Sequence, residues 1–141
     1  MRLINLIGMK QVTIIIERAK DGHYSSYAEN AEGVYGGGNT PEEAKQAALE
    51  AIELIKKHNT GKNIPAILKK PYRVIYRFDA ESLINYYKKV FTNAAFERLT
   101  GINQKQIQHY ASGLKKPRAR QAKKIQEALH KLGEELLAVE L

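Results

Sequence analysis

The chain has 141 residues, enough for one ordinary domain or two small ones, with 43% hydrophobic and 27% charged residues. It has no cysteine, which excludes disulfides and thiolate metal sites and suits a reducing cytoplasm. No apolar run approaches the roughly 18 residues of a membrane span, so no membrane partner is expected.

In chain order, Met1 to Gly8 (MRLINLIG) is too short for a signal peptide and lacks a cleavage site. Met9-Lys10 follows, so the first eight residues could be an upstream start rather than part of the fold. Gln11 to Glu17 (QVTIIIE) is β-branched and reads as a buried strand. Asp21-Gly22 signals a hairpin turn, and His23 to Glu29 reads as a second strand. Gly33 to Gly38 (GVYGGG) is a third. Thr40-Pro41-Glu42-Glu43 then opens a helix, with Thr40 as N-cap, Pro41 at the first position and Glu43 completing a capping box. It runs to about Lys57, with Ala44, Ala47, Ala48, Ala51, Ile52 and Ile55 on its apolar face. Asn59 to Pro71 reads as a loop and Tyr72 to Phe78 as a last strand. The order β-β-β-α-β predicts a small sheet crossed by one helix.

After Asp79 the pattern is helical throughout. Asp79 caps a helix to about Phe91, with Leu83, Tyr86, Tyr87 and Val90 facing inward. A second helix covers Asn93 to Thr100 and a third Asn103 to Ser112, with Gly101 between them. A fourth begins near Arg118, with a stripe of Ala122, Ile125, Leu129, Leu132 and Leu136. The predicted class is α+β: a sheet-plus-helix domain over residues 1–71, or to about 78 with its last strand, then an all-α domain over 79–141.

Charge separates the two halves. Residues 1–71 hold ten Lys/Arg against eight Asp/Glu, a net of +2, whereas residues 72–141 hold thirteen against seven, a net of +6. From Thr92 to Lys124 there are eight basic residues and one acidic one, Glu97. Such a surplus favours a polyanion, most often nucleic acid; on charge alone a solvated basic face stands equally.

Spacing decides more than charge. In Leu99 to Arg118 (LTGINQKQIQHYASGLKKPR), Gly101 suits a turn with positive φ, Ile102 and Ile107 point inward, Asn103 is an N-cap and Tyr110-Ala111 return to the core. Gln104, Lys105, Gln108 and His109 are left facing outward, as i,i+4 pairs on the third helix. Gln pairs with the edge of adenine and Lys donates to guanine, so these four are the candidates for base readout. Asn103, Lys115, Lys116, Arg118 and Arg120 are the candidates for phosphate contacts, which set affinity and register. The stretch resembles the phage-repressor (Cro-like) helix-turn-helix family at Gly101-Ile102-Asn103-Gln104, Ile107, Ser112-Gly113 and Pro117. One position departs from it. Four residues before the turn glycine the family usually has a small residue, and here it is Glu97. Either Phe96 and Leu99 do the packing, or Glu97 lies at a looser contact.

The first half has no evident reactive site. Glu17, Asp21, Glu29 and Glu32 would have to gather on strand ends to hold nuclease metals, and only Glu17 and Glu29 fall in predicted strands. His23 reads as surface, and His58 and His130 lack partners at metal-ligand spacing. No catalytic residue, metal or cofactor is expected. Gly22 to Leu54 resembles the HicB antitoxin domain through Tyr24-Ser25-Ser26-Tyr27, the Glu32-Gly33 turn, Tyr35-Gly36-x-Gly38 and the Thr40–Ala44 helix start. That resemblance implies a degenerate (partial) RNase H-like fold without nuclease acids, often joined to a C-terminal DNA-binding module. It also implies a partner, a small basic HicA-type RNA-cleaving toxin. Glu29, Glu32, Tyr35 and the polar face of the Glu42–Glu53 helix are its candidate contacts, because a basic toxin needs acidic or aromatic partners.

The expected function is a prokaryotic, cytoplasmic antitoxin that represses its own operon. It would bind an inverted-repeat operator as a dimer or higher oligomer through Leu129, Leu132, Leu136, Leu137 and Val139, and would be nucleoid-associated when bound. Two alternatives stand beside it: a stand-alone regulator whose first domain senses a ligand or oligomerises, and an RNA-processing enzyme of RNase H type.

Overall fold

A computed structural model of the chain describes residues 9–141; the reading of residues 1–8 as an upstream start lies outside them. The protein is mixed α+β, a four-stranded sheet with one helix followed by helices alone. The described residues divide into two compact units, residues 9–82 and 83–141.

The first unit holds β1 (Lys10–Arg18), β2 (Tyr24–Ala28), β3 (Tyr35–Gly38), α1 (Pro41–His58) and β4 (Tyr72–Phe78). The sheet order is β3-β2-β1-β4, with β1 antiparallel to β2 and parallel to β4. A parallel neighbour cannot be reached by a tight turn, so α1 provides the crossover to β4. Val12, Ile14 and Ile16 alternate onto one face of β1 and are fully buried with Ala44, Ala48 and Ile52 of α1. Burial of each Val or Ile side chain among these stabilises the fold by roughly 1.5–3 kcal/mol. The capping box forms in a shifted version. Glu43 N–H donates to Thr40 Oγ1 at 3.1 Å, while the Glu43 carboxylate accepts from Asn39 N–H, one residue before the cap. Residues 59–71 contain two short 3₁₀ turns rather than plain loop, because buried Leu68 ties the segment to the core.

Asp79 holds the unit's end. One carboxylate oxygen accepts from Arg18 N–H at the end of β1, at 2.9 Å, and the other from Ser82 N–H in the next helix, at 2.7 Å. The Arg18 guanidinium pairs with Glu81, which raises its pKa further above its ordinary value.

The second unit is built on α2 (Ala80–Tyr86), whose first residues belong to the other unit, with α3 (Asn93–Thr100), α4 (Gln104–Ala111) and α5 (Ala119–Leu137). Its core is Ile84, Phe96, Ile102, Ile107, Tyr110, Ala111 and Ile125. The expected helix from Asp79 to Phe91 is corrected here. It stops at Tyr86 and tightens into a 3₁₀ turn over Tyr87–Lys89, with Tyr87 O accepting from both Val90 and Phe91 N–H. The turn puts Phe91 against Phe96, with ring centroids 5.4 Å apart, and leaves Val90, expected inside, exposed. The buried residues of α2 are Ser82 and Ile84. Along α5 only Ile125 is buried, with Leu129 packed beside it; Ala122 is exposed, and Leu136 and Leu137 are 62% and 66% exposed. No helix among the described residues is long and apolar enough to cross a membrane.

The approach of α1 to β3 leaves no room for a side chain at Gly36. A Cβ there would lie 2.7 Å from Ala47 Cβ and 2.8 Å from Ser26 Oγ. Gly36→Ala is expected to destabilise the first unit by about 1–3 kcal/mol through overpacking. Gly37→Ala, on the other face of the strand, should cost less; urea unfolding of both variants checks this.

Candidate nucleic-acid interface

The corner between α3 and α4 is made by three side chains, Glu97, Thr100 and Asn103, and one glycine. Thr92 caps α3, accepting from Ala95 N–H at 3.0 Å. The helix ends at Gly101, whose φ of 74° is left-handed, and whose N–H donates to Glu97 O at 2.7 Å. The Thr100 hydroxyl donates to Phe96 O and accepts from Ile102 N–H, so the hydroxyl of buried Thr100 is paired on both sides. Helix α4 is then capped twice. Asn103 Oδ1 accepts from Lys105 N–H at 2.7 Å, and Glu97 Oε1 accepts from Gln104 N–H at 3.0 Å.

Glu97 is therefore not a misplaced packing residue. Phe96, fully buried, packs in the core, while Glu97 reaches over the turn to satisfy a donor that has no partner within the helix. Its negative charge also sits at the favourable end of the helix dipole. The same contact occupies an amide that would otherwise be open to a phosphate oxygen.

Ile107, Tyr110 and Ala111 of α4 are buried. Gln104, Lys105 and Gln108 are exposed together on its other side. His109 is half-buried, with Nδ1 shielded from solvent and without a hydrogen-bond partner, so it is less open than the other three candidates. Gln108 Oε1 accepts from Asn93 Nδ2 at 2.8 Å, which ties its carboxamide to the first residue of α3. Lys115, Lys116, Arg118 and Arg120 are all exposed, in the segment leaving α4 and the first turn of α5. Gly113, at φ 79°, and Lys115 N–H, donating to His109 O at 3.2 Å, fold that segment back on α4. Asn103 is exposed too, but its oxygen is engaged as the cap.

Three contributors escaped sequence reasoning. The bond from Asn93 to Gln108 and the reach of Glu97 to Gln104 join residues 15 and 7 positions apart, and no periodic signal marks either pair. Lys124 lies one turn into the next helix, with its ammonium 3.7 Å from where a Cβ on Gly101 would stand.

In the first unit, Glu29 forms an ion pair with Arg77 at 3.1 Å, Glu32 is exposed in the turn before β3, and Tyr35 on β3 is 72% exposed. Among the described residues, no three His, Asp or Glu side chains gather where they could hold a metal ion.

The Glu97 cap makes a stability prediction. Glu97→Ala should cost about 0.5–2 kcal/mol, as the loss of a capping acceptor does. Glu97→Gln, which keeps an oxygen acceptor, should retain most of it; thermal unfolding of the two variants measures the difference. Compared with known families, curated proteins and solved structures, the chain matches none of them.

Proposed function

We propose that the second unit binds double-stranded operator DNA and that the first restrains a basic toxin, making the protein an antitoxin that represses its own operon. The observation that carries the DNA half is the exposed set Gln104, Lys105 and Gln108 on a helix fixed by the Gly101 corner, followed at once by four exposed cations. A side chain on the first turns of such a helix reaches base edges in the major groove. Asn93 holds the Gln108 carbonyl, so this side chain meets a base chiefly as an amide donor, for which a purine N7 is the acceptor. Lys115, Lys116, Arg118 and Arg120 supply the sequence-independent attraction to phosphates.

One short helix reads too few base pairs for useful specificity, so the chain acts as a dimer on a repeated half-site. Leu136, Leu137 and Val139, each more than 60% exposed, offer the apolar surface for it. The toxin half is supported by the resemblance of the β2–β3–α1 segment to HicB antitoxin domains. On this reading the protein acts in the cytoplasm of a prokaryote.

A gel shift with the promoter upstream of its own gene tests the DNA half. Gln104→Ala with Gln108→Ala should abolish preference for the operator and leave weak, salt-sensitive binding. Lys115→Ala with Lys116→Ala should weaken binding to all sequences alike and lower the salt slope by about 2. Equal operator affinity for the wild type and the double-Gln variant overturns the assignment of α4. Co-purification with a small basic protein encoded beside this one tests the toxin half; its failure favours the stand-alone regulator.

A further inference from the structure

Among the described residues β3 has a single neighbour, β2, and forms one edge of the sheet. Ala28 N–H donates to Val34 O at 3.1 Å, and the register pairs Tyr27 with Tyr35 and Ser25 with Gly37. In an antiparallel ladder, hydrogen-bonded and non-hydrogen-bonded pairs alternate. Tyr35 and Gly37 therefore fall at non-hydrogen-bonded positions, with N–H and C=O turned away from β2 toward the open edge.

Sheets usually guard such an edge with lysine, proline or a bulge. Tyr35–Gly38 has no charge and no proline, and Tyr35 stands 72% exposed. Its three glycines have different causes. Gly36 and Gly38 face α1, where a Cβ would lie under 3 Å from Ala47 and from Glu43 respectively. Gly37 faces the other way, where a Cβ would meet only Tyr24 O, at 3.2 Å. Contact with α1 does not explain it, and a bare edge residue suits the close approach of another backbone.

Charge selects the partner. From Asp21 to Ala44 there are five carboxylates and no Lys or Arg, in a chain of net charge +8. Both β2 and β3 lie in this stretch, and Glu32 and Glu42, exposed, flank β3 in the chain. Two copies of this edge would repel each other, whereas a cationic strand would be drawn to it.

We infer that the free edge of β3 takes up an extended segment of a basic partner protein. The segment adds a fifth strand through the outward N–H and C=O groups of Tyr35 and Gly37, and the Tyr35 ring packs on it. The inference rests on the reading of this unit as the restraint on a basic toxin, and it names the surface that does the restraining.

The test uses the full chain co-expressed with the small basic protein encoded beside it. Gly37→Pro removes one outward N–H without breaking a β2–β3 bond, and Tyr35→Lys places a like charge on the edge. Each should weaken the complex by about tenfold or more while leaving the operator gel shift unchanged. On complex formation the Tyr35 and Gly37 amides should exchange with solvent at least about tenfold more slowly. Wild-type binding with unchanged exchange at these amides, and variants that bind as tightly, overturns the edge and leaves the partner reading standing. No binding by wild type overturns the partner reading and the edge with it. Loss of self-association by Gly37→Pro in the pure chain makes the occupant a second copy and also overturns the inference.

Discussion

Gly101 turns the chain at a φ of 74°, a conformation that costs any residue with a Cβ, and the placement of α4 depends on that turn. Around it the polar groups are closed by short-range contacts: Thr100 onto Phe96 and Ile102, Asn103 onto Lys105, and Glu97 onto Gln104. The core beneath it is small; Phe96 and Ile102 are its nearest members in sequence, and Ile107 follows on α4. With the inner side of α4 committed in this way, Gln104, Lys105 and Gln108 have no choice but to face solvent. The exposed side of the helix follows from how the buried side is held.

The first unit works under a different constraint. A parallel β1–β4 pair requires a crossover, and the crossover helix must lie close on the sheet. That closeness is why β3 carries glycine at positions 36 and 38, and it leaves a short strand whose outer side is almost bare. A strand trimmed for packing on one face becomes an accessible edge on the other. At the far side of the unit, Asp79 joins the end of β1 to the first turn of α2 with its two carboxylate oxygens, so the exit from the sheet is set by one side chain.

Much of this was legible from the residues. β-branched Val12–Ile16, the Thr40-Pro41 start, the Tyr72–Phe78 alternation and the Gly101–Pro117 spacing each carry a strong local signal, and their elements stand within one to three residues of expectation. The helix expected through Phe91 ended early because the competing signal was not local: Phe91 packs on Phe96, and the backbone tightens to allow it. Val90, expected inside, is left exposed for the same reason. On α5 the apolar stripe continued past the point where the domain has anything to cover it, so periodicity overcounted its core.

The sequence by itself determined the class of each unit, the corner at Gly101 and three of the four outward residues on α4, because propensity, capping and periodicity act over a few neighbouring residues. Tertiary structure alone decided the rest. Glu97 looks like a misfit in a packing position and acts as a cap, Asn93 ties down Gln108, Glu29 is paired with Arg77, and the amides of Tyr35 and Gly37 turn outward. Each of these depends on which other element of the chain is brought within hydrogen-bonding distance, and no periodic pattern encodes that distance.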